Sequence, residues 1–244
     1  MLAKKLLIDA GNTRLKWVRV EGGQWRTQGS SDYGDWSALR ATLDGVHDCH
    51  VASVASAEHV QALAAVLAAA GVRATWYTAA GAFGDVVNGY EMPQQLGVDR
   101  WMALIAARAR CNEAVLVVSA GTALTADALG ADGRFLGGVI VPGLALMRQA
   151  LQTGTAGVAP SSGKVQAFPR TTADAVESGL VAAVCGAIRR QYDYLAAQAG
   201  VAPRCLVSGG DAARIRPYLD VPAEIVPALV LEGIERVAAK ENTR

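Results

Sequence analysis

Two stretches of the sequence share one pattern, and that pattern constrains the fold more than any other feature. In residues 6–18 an apolar run ends in a carboxylate and a polar turn, after which polar and apolar residues alternate. Residues 115–129 repeat this plan, and Ala10-Gly11 aligns with Ala120-Gly121 without gaps. Such a pattern predicts a strand, a turn and a returning strand. Two matched hairpins, one opening each half of the chain, therefore predict a duplicated domain.

The turn of the first hairpin carries residues that suit a phosphate ligand. Gly11 allows close approach of the backbone, and Asn12 and Thr13 add small polar side chains. Backbone N–H groups, a hydroxyl and Lys16 can bind a phosphate there, while Asp9 can hold its Mg²⁺. Taken alone, the same residues also form an ordinary hairpin turn. The second copy favours the phosphate interpretation.

Length and composition indicate an α/β protein with two domains. The chain has 244 residues, of which 52% are hydrophobic and 18% charged, enough for two cores. We expect the domains to span residues 1–110 and 111–244. A formal net charge of +1 gives no electrostatic footprint for nucleic acid or a membrane surface. No apolar run approaches the ~20 residues of a membrane span, so neither nucleic acid nor membrane is an expected partner.

The cysteines and histidines show no metal-binding or disulfide spacing. Four widely separated cysteines are expected to be reduced thiols of a cytoplasmic protein: Cys49, Cys111, Cys185 and Cys205. His47, Cys49 and His50 lie close together, but no fourth ligand follows at a recognised spacing. Alternation through residues 50–54 favours a strand instead.

The remaining pattern alternates strands with helices. The first half reads as three strands followed by helix, strand, helix and strand, with helices predicted over 35–43 and 58–70. Segment 81–92 reads as a surface loop that carries Asn88 and Tyr90, and segment 154–169 as a mobile loop. A long helix is predicted from about 171 to 199. A buried strand over 204–208 runs into Gly209-Gly210, and a closing helix spans 230–239.

Asp99 and Arg100 have two interpretations on sequence alone. Asp99 falls in the first turn of the helix predicted over 101–110, where the helix dipole favours a negative charge, and Arg100 could simply be solvated. The functional interpretation makes Asp99 a general base beside a cation that pairs with phosphate. Thr172 has a similar pair of interpretations, as a helix cap or as a substrate contact.

Together, these motifs resemble the type III pantothenate kinases of the acetate and sugar kinase/Hsp70/actin superfamily. The resemblance covers essentially the whole chain and rests on motifs in a specific order and spacing: Asp9-Ala10-Gly11-Asn12-Thr13, Gly97-Val98-Asp99-Arg100, Gly121-Thr122-Ala123, Gly137 to Gly143, Thr172 to Ala175 with Gly179, and Ser208-Gly209-Gly210-Asp211. It implies duplicated RNase H-like (actin-like ATPase) domains with a nucleotide cleft between them. It further implies ATP-dependent phosphorylation of the primary hydroxyl of pantothenate to 4'-phosphopantothenate, the first step of coenzyme A biosynthesis.

The resemblance also assigns roles to residues. Asp99 matches the proposed base and Asp9 the metal-associated carboxylate. The positions matching those around the ATP phosphates are Ala10, Gly11, Asn12, Thr13, Arg14, Leu15, Lys16 and Thr122. Those near pantothenate are Tyr90, Gly97, Val98, Asp99, Arg100 and Thr172. The family is similar in being homodimeric, with the residue that matches Thr172 reaching toward the partner's site.

One position departs from the family pattern. Many members carry an aspartate where this chain has Ser119, and that aspartate is associated with a monovalent cation, K⁺ or NH₄⁺. A serine lacks the formal charge of a good cation ligand, so we do not expect a strict cation requirement. Two other functions are compatible with the same fold: a kinase for another hydroxyl substrate such as a sugar, and a non-enzymatic accessory protein.

Overall fold

The chain forms two compact units built on the same plan. In the computed structural model, residues 4–155 and 163–241 are described. The first unit contains the chain up to Ala109 together with the segment from Leu229 onward, and the second contains Arg110–Ala228. In each unit a five-stranded mixed sheet carries helices, as the duplicated hairpins predict.

The first unit is organised around the first hairpin. Its sheet contains β1 (Lys4–Ala10), β2 (Arg14–Glu21), β3 (Gln24–Asp32), β4 (Asp48–Ser53) and β5 (Arg73–Tyr77) in the order β3-β2-β1-β4-β5. Strands β1 to β3 are antiparallel, while β4 and β5 run parallel to β1. The other elements are α1 (Ser37–Arg40), α2 (Ala57–Ala69), a small hairpin of β6 (Ala82–Phe83) and β7 (Val86–Val87), and α3 (Val98–Arg110).

The second unit repeats this topology. Its sheet contains β8 (Val115–Ala120), β9 (Ala123–Leu129), β10 (Phe135–Pro142), β11 (Arg204–Ser208) and β12 (Glu224–Ile225) in the order β10-β9-β8-β11-β12. Again the first three strands are antiparallel and the last two run parallel to the central one. Its helices are α4 (Leu144–Gly154), α5 (Thr172–Ala199) and α6 (Ala212–Ile215).

Each sheet packs its helices on an apolar face. In the first unit Ile8 and Leu15 join Leu63 of α2 in one buried cluster. In the second, Val118 of β8 and Ile188 of α5 belong to the corresponding cluster. Because alternate residues of a strand point to opposite faces, this packing determines which residues of each hairpin remain for a ligand.

The last helix departs from the predicted domain division. α7 (Leu229–Glu241) belongs to the first unit, although we expected all of 111–244 to form the second domain. It packs against β1 and β4. Strand β1 is apolar on both faces, with Leu6 and Leu7 each fully buried, and its second face needs such a cover. A single domain boundary in the sequence cannot describe this arrangement, because the C-terminal helix packs back onto the first unit.

Two smaller expectations also differ from the structure. The helix expected over 35–43 is only Ser37–Arg40, and the Asp35 carboxylate accepts from the Ser37 N–H (3.0 Å) just before it. Of the loop expected over 154–169, residues 156–162 lie outside the described part of the chain. None of the helices among the described residues is long and apolar enough to span a bilayer.

Candidate active site

The first turn, residues 11–13, joins β1 to β2 and presents polar groups at the ends of these two strands. The Gly11 N–H closes the turn by donating to the Arg14 carbonyl (3.1 Å). Asn12, Thr13 and Arg14 are exposed, and the Arg14 side chain donates to Asp32 (2.8 Å). Of the residues expected around ATP, Leu15 and Ala10 have side chains buried in the core, because strand alternation turns them away from the polar face, and their backbone groups remain at the turn.

Asp9 lies one residue before the end of β1, directly opposite Lys16 of β2. Burial raises the pKa of the Asp9 carboxyl to about 6, although the Lys16 ammonium opposes the shift and the Asp99 carboxylate adds to it. Asp9, Lys16 and Asp99 are therefore electrostatically coupled within the first unit. A partly desolvated carboxylate beside a second one is a favourable place for a cation.

Asp99 is held at the start of α3. Its carboxylate accepts from the backbone N–H of Arg100, and burial raises the pKa of this carboxyl in spite of that bond and of the Arg100 charge. A Cβ added at Gly97 would lie 2.6 Å from Asp99 Oδ1, so glycine leaves room for the carboxylate. A buried carboxylate with a raised pKa is a stronger base than an ordinary aspartate.

Arg100 is buried, which excludes the solvated interpretation. Only 6% of the residue is exposed. Its Nη1 donates to the Tyr90 hydroxyl (2.9 Å), and the guanidinium lies 5.6 Å from the centre of that ring. The loop that carries Tyr90 is fixed by Asn88, whose side chain donates to the Ala80 and Pro93 carbonyls (3.1 Å each). Tyr90, Val98, Asp99 and Arg100 thus form one group in the first unit.

Sequence reasoning missed Tyr33, which supports the first turn. Its hydroxyl donates to the Gly11 carbonyl (2.7 Å), and its ring stacks on His59 with centroids 3.8 Å apart. Burial, followed by the charge of Asp9, raises the pKa of Tyr33 to about 12, so the hydroxyl remains a donor. Because a peptide group is planar, holding the Gly11 carbonyl also orients the Asn12 N–H. Nothing in the sequence around Tyr33 indicates this contact.

Tyr33→Phe is expected to loosen the first turn without unfolding the protein. Loss of one hydrogen bond costs about 1 kcal/mol, and the KM for ATP should rise by less than about tenfold. Steady-state kinetics against ATP checks this, with Tyr218→Phe as control because Tyr218 is half-exposed in the second unit. An unchanged KM for ATP in Tyr33→Phe would show that the turn needs no such support.

The second turn, Gly121 and Thr122 between β8 and β9, repeats the first. The Gly121 N–H donates to the Ala123 carbonyl (3.1 Å), whereas Gly11 donates to Arg14, so the second turn is one residue shorter than the first. Thr122 is exposed. In place of Asp9 stands Ser119, which pairs with Thr125 of β9 and Ser208 of β11. Ser119 and both of its neighbours across the sheet therefore carry neutral hydroxyl side chains.

Two glycine turns brace the second turn. The Gly143 N–H donates to the Thr122 carbonyl (2.9 Å), and a Cβ on Gly143 would lie 2.1 Å from the Gly121 carbonyl oxygen. On the other side Gly209 has φ +102°, and a Cβ there would lie 2.2 Å from the Ala120 carbonyl oxygen. That oxygen accepts from the Asp211 N–H (3.0 Å). The motifs around Gly143 and Gly209 thus meet at one point of the fold.

Thr172 is the first residue of α5 and is exposed. It is not the cap: the preceding Thr171 hydroxyl accepts from the Asp174 N–H (3.1 Å). Capping therefore does not explain Thr172, and a substrate contact remains an open prediction.

The described residues contain no cluster of three or more His, Cys, Asp or Glu side chains that could hold a metal ion. Mg²⁺ in nucleotide sites is commonly held by one or two carboxylates together with substrate phosphates, and Asp9 fits that mode.

Comparison with known proteins agrees with this geometry. The sequence model of the type III pantothenate kinase family matches residues 5–194. A type III pantothenate kinase from Thiobacillus denitrificans is 58% identical over 234 residues, which are 96% of each chain. Among solved structures, a Campylobacter jejuni protein described as a Baf family transcriptional activator superposes with a TM-score of 0.62 at 19% identity, covering 98% of this chain and all of that one.

A Sinorhizobium meliloti protein described as a 2-dehydro-3-deoxygalactonokinase has the same fold. Its TM-score is 0.61 at 15% identity, over 97% of this chain and 99% of that one. These two structural neighbours, both below 20% identity, establish the two-sheet α/β fold alone. The family match and the high identity establish more: this chain belongs to the type III pantothenate kinases, which phosphorylate pantothenate in coenzyme A biosynthesis.

Proposed function

We propose that Asp99 is the general base that takes the proton from the primary hydroxyl of pantothenate, and that Asp9 holds the Mg²⁺ that accompanies ATP. One observation carries this assignment: two carboxylates far apart in sequence lie close enough within one unit for the charge of Asp99 to raise the pKa of Asp9. Their environments suit different tasks: burial of Asp99 is offset by hydrogen bonds from the backbone N–H groups of Arg100 and of Asp99 itself and by the Arg100 charge, whereas Asp9 faces Lys16.

Phosphoryl transfer needs positioning and neutralisation of charge more than covalent catalysis. The first turn would bind ATP phosphates through backbone N–H groups, the Thr13 hydroxyl and Lys16. Thr122 of the second turn would also bind phosphate, which is supported by its exposed position in a turn of the same glycine-containing kind. When bound, Mg²⁺ supplies neutralisation of phosphate charge next to Asp9.

The group around Asp99 would bind pantothenate. Tyr90 and Arg100 already contact each other, so the guanidinium is oriented before substrate arrives. Arg100 would neutralise charge on the substrate or on the transferring phosphoryl group. Gly97 and Val98 would contribute backbone beside the base, and Thr172 would be a further substrate contact.

The proposal also includes the quaternary state of the protein. We infer a homodimer, supported by apolar side chains that the second unit leaves exposed, among them Ile140 at 61% and Phe168 at 89%. Burying such apolar side chains against a partner would be favourable. A cytoplasmic location is supported by the four free, buried cysteines.

A coupled assay with purified protein and ATP tests the activity and the cation proposal together. We expect an ATP-dependent product from pantothenate, no turnover of hexoses, and the same rate when K⁺ is replaced by a bulky organic cation, because Ser119 has only hydroxyl neighbours in its register. A rate that depends strongly on K⁺ would contradict the cation proposal alone. Turnover of a hexose in preference to pantothenate would contradict the substrate.

A further inference from the structure

The second unit contains one buried carboxylate shared by two arginines. Glu177 of α5 is only 5% exposed. Its Oε2 accepts from Arg148 of α4, and its Oε1 accepts from Arg214 of α6. Each carboxylate oxygen is thus bound by a different helix, so this one side chain connects three helices.

The two helices that Glu177 connects begin at the turns that brace Ala120–Thr122. Helix α4 begins immediately after Gly143, whose N–H donates to the Thr122 carbonyl. Helix α6 follows Asp211, whose N–H donates to the Ala120 carbonyl. A displacement of either helix therefore moves a group that is hydrogen-bonded to the second turn.

We propose that Glu177 is a positioning residue for ATP: by tying Arg148 to Arg214, it holds the two glycine turns against the second turn. The inference rests on the proposed role of the second turn in binding phosphate. Glu177 itself touches no phosphate; it acts through the backbone of residues 120–122.

The charge of Glu177 matters, not only its size. Burial by itself raises the pKa of the Glu177 carboxyl, but the hydrogen bonds from Arg214 and Arg148 outweigh burial and hold the pKa below its ordinary value. In Glu177→Gln one oxygen becomes an NH₂ group, a donor that faces an arginine donor. At least one of the two hydrogen bonds from the arginines is then lost, while the side-chain volume is preserved.

The test compares the KM values for ATP and pantothenate in Glu177→Gln with those of two other variants. We expect Glu177→Gln to raise the KM for ATP by about tenfold, since a small misplacement of a binding group has effects of this order or larger. The KM for pantothenate should stay unchanged. Asp193→Asn is the matched control, because Asp193 lies on the same helix in an exposed ion pair with Arg189 that contributes little.

Thr122→Val separates this inference from the proposal on which it depends. If Thr122→Val and Glu177→Gln both raise the KM for ATP, both assignments are supported. If only Thr122→Val does, or if Glu177→Gln raises both KM values equally, Glu177 is merely structural and the inference is wrong. If Thr122→Val leaves ATP binding unchanged, the role of the second turn is wrong, and the inference falls with it.

A milder variant covers the case in which Glu177→Gln does not fold. Arg214→Gln keeps the pair between Arg148 and Glu177 and cuts only the tie to α6, and the Arg214 side chain is 45% exposed. It should shift the KM for ATP in the same direction by a smaller factor. An unchanged value in a folded Arg214→Gln protein would overturn the proposal.

Discussion

Replacing Asp99 by asparagine is expected to lower kcat by ~10²–10⁴-fold, the usual effect of removing a general base. Asparagine keeps the shape and accepts the same bond from the Arg100 N–H, so the fold should persist. It cannot take the proton from the pantothenate hydroxyl. Steady-state kinetics with ATP and pantothenate measures the loss, and the KM for ATP should change little because Asp99 is not expected to bind nucleotide.

The pH profile provides a second measure of the same role. A base must be ionised to act, so kcat/KM of the wild type should fall as the pH drops through the raised pKa of Asp99. In the residual activity of Asp99→Asn the contribution of Asp99 should be lost, and only the acidic limb that belongs to Asp9, with its pKa of about 6, should remain.

Glu58→Gln is the control for Asp99→Asn. Glu58 is likewise an acidic residue in the first turn of a helix, so it experiences the same dipole effect without a proposed catalytic role. Near-normal kcat in both variants would show that Asp99 serves only to begin α3.

Asp9→Asn should abolish most activity and at the same time stabilise the free protein. We expect kcat to fall by ~10²–10³-fold, the range for removing an electrostatic stabiliser of the transition state. The pKa of Asp9 is raised from 3.8 to about 6 in the fold, so the folded protein binds the proton more tightly than the unfolded chain does. Wild-type stability is therefore lost as the pH rises through this window, by up to about 3 kcal/mol.

The stability gain has a defined pH dependence and a metal dependence. Above pH 6 the melting temperature of Asp9→Asn should exceed that of the wild type, and the difference should vanish toward pH 4. Excess Mg²⁺ should raise the melting temperature of the wild type near pH 8 and leave Asp9→Asn unchanged, since only the wild type offers the carboxylate. Thermal melts across pH, with and without Mg²⁺, measure both effects independently of activity.

Asp48→Asn is the matched control in the same sheet. Asp48 is a half-exposed strand residue that pairs with Arg73 at the surface, and its substitution should leave activity and the Mg²⁺ response intact. If Asp9→Asn is less stable than the wild type at pH 8, Asp9 is a structural residue and not a desolvated carboxylate that serves as a metal ligand.

The sequence predicted the hairpins well because each depends on local chemistry. Apolar runs, a Gly-containing turn and period-two alternation occur within a dozen residues, and both β1–β2 and β8–β9 follow them. The positions of Asp9 and Asp99 at strand and helix ends were also readable, since ends are marked by polar residues. Arg100 was harder: the same side chain can be solvated or buried, and only the packing of the Tyr90 loop against α3 decides.

The amino-acid sequence by itself determined the duplicated strand pattern, the two turns and the family, because these depend on the order and spacing of neighbouring residues. Only the tertiary structure decided that α7 returns to cover β1, that Tyr33 supports Gly11, and that Glu177 joins α4 to α6. The physical reason is the same in each case. Burial and hydrogen bonding act between whichever groups the fold brings together. These groups can be far apart in the sequence, so the local sequence pattern does not predict which of them will pair.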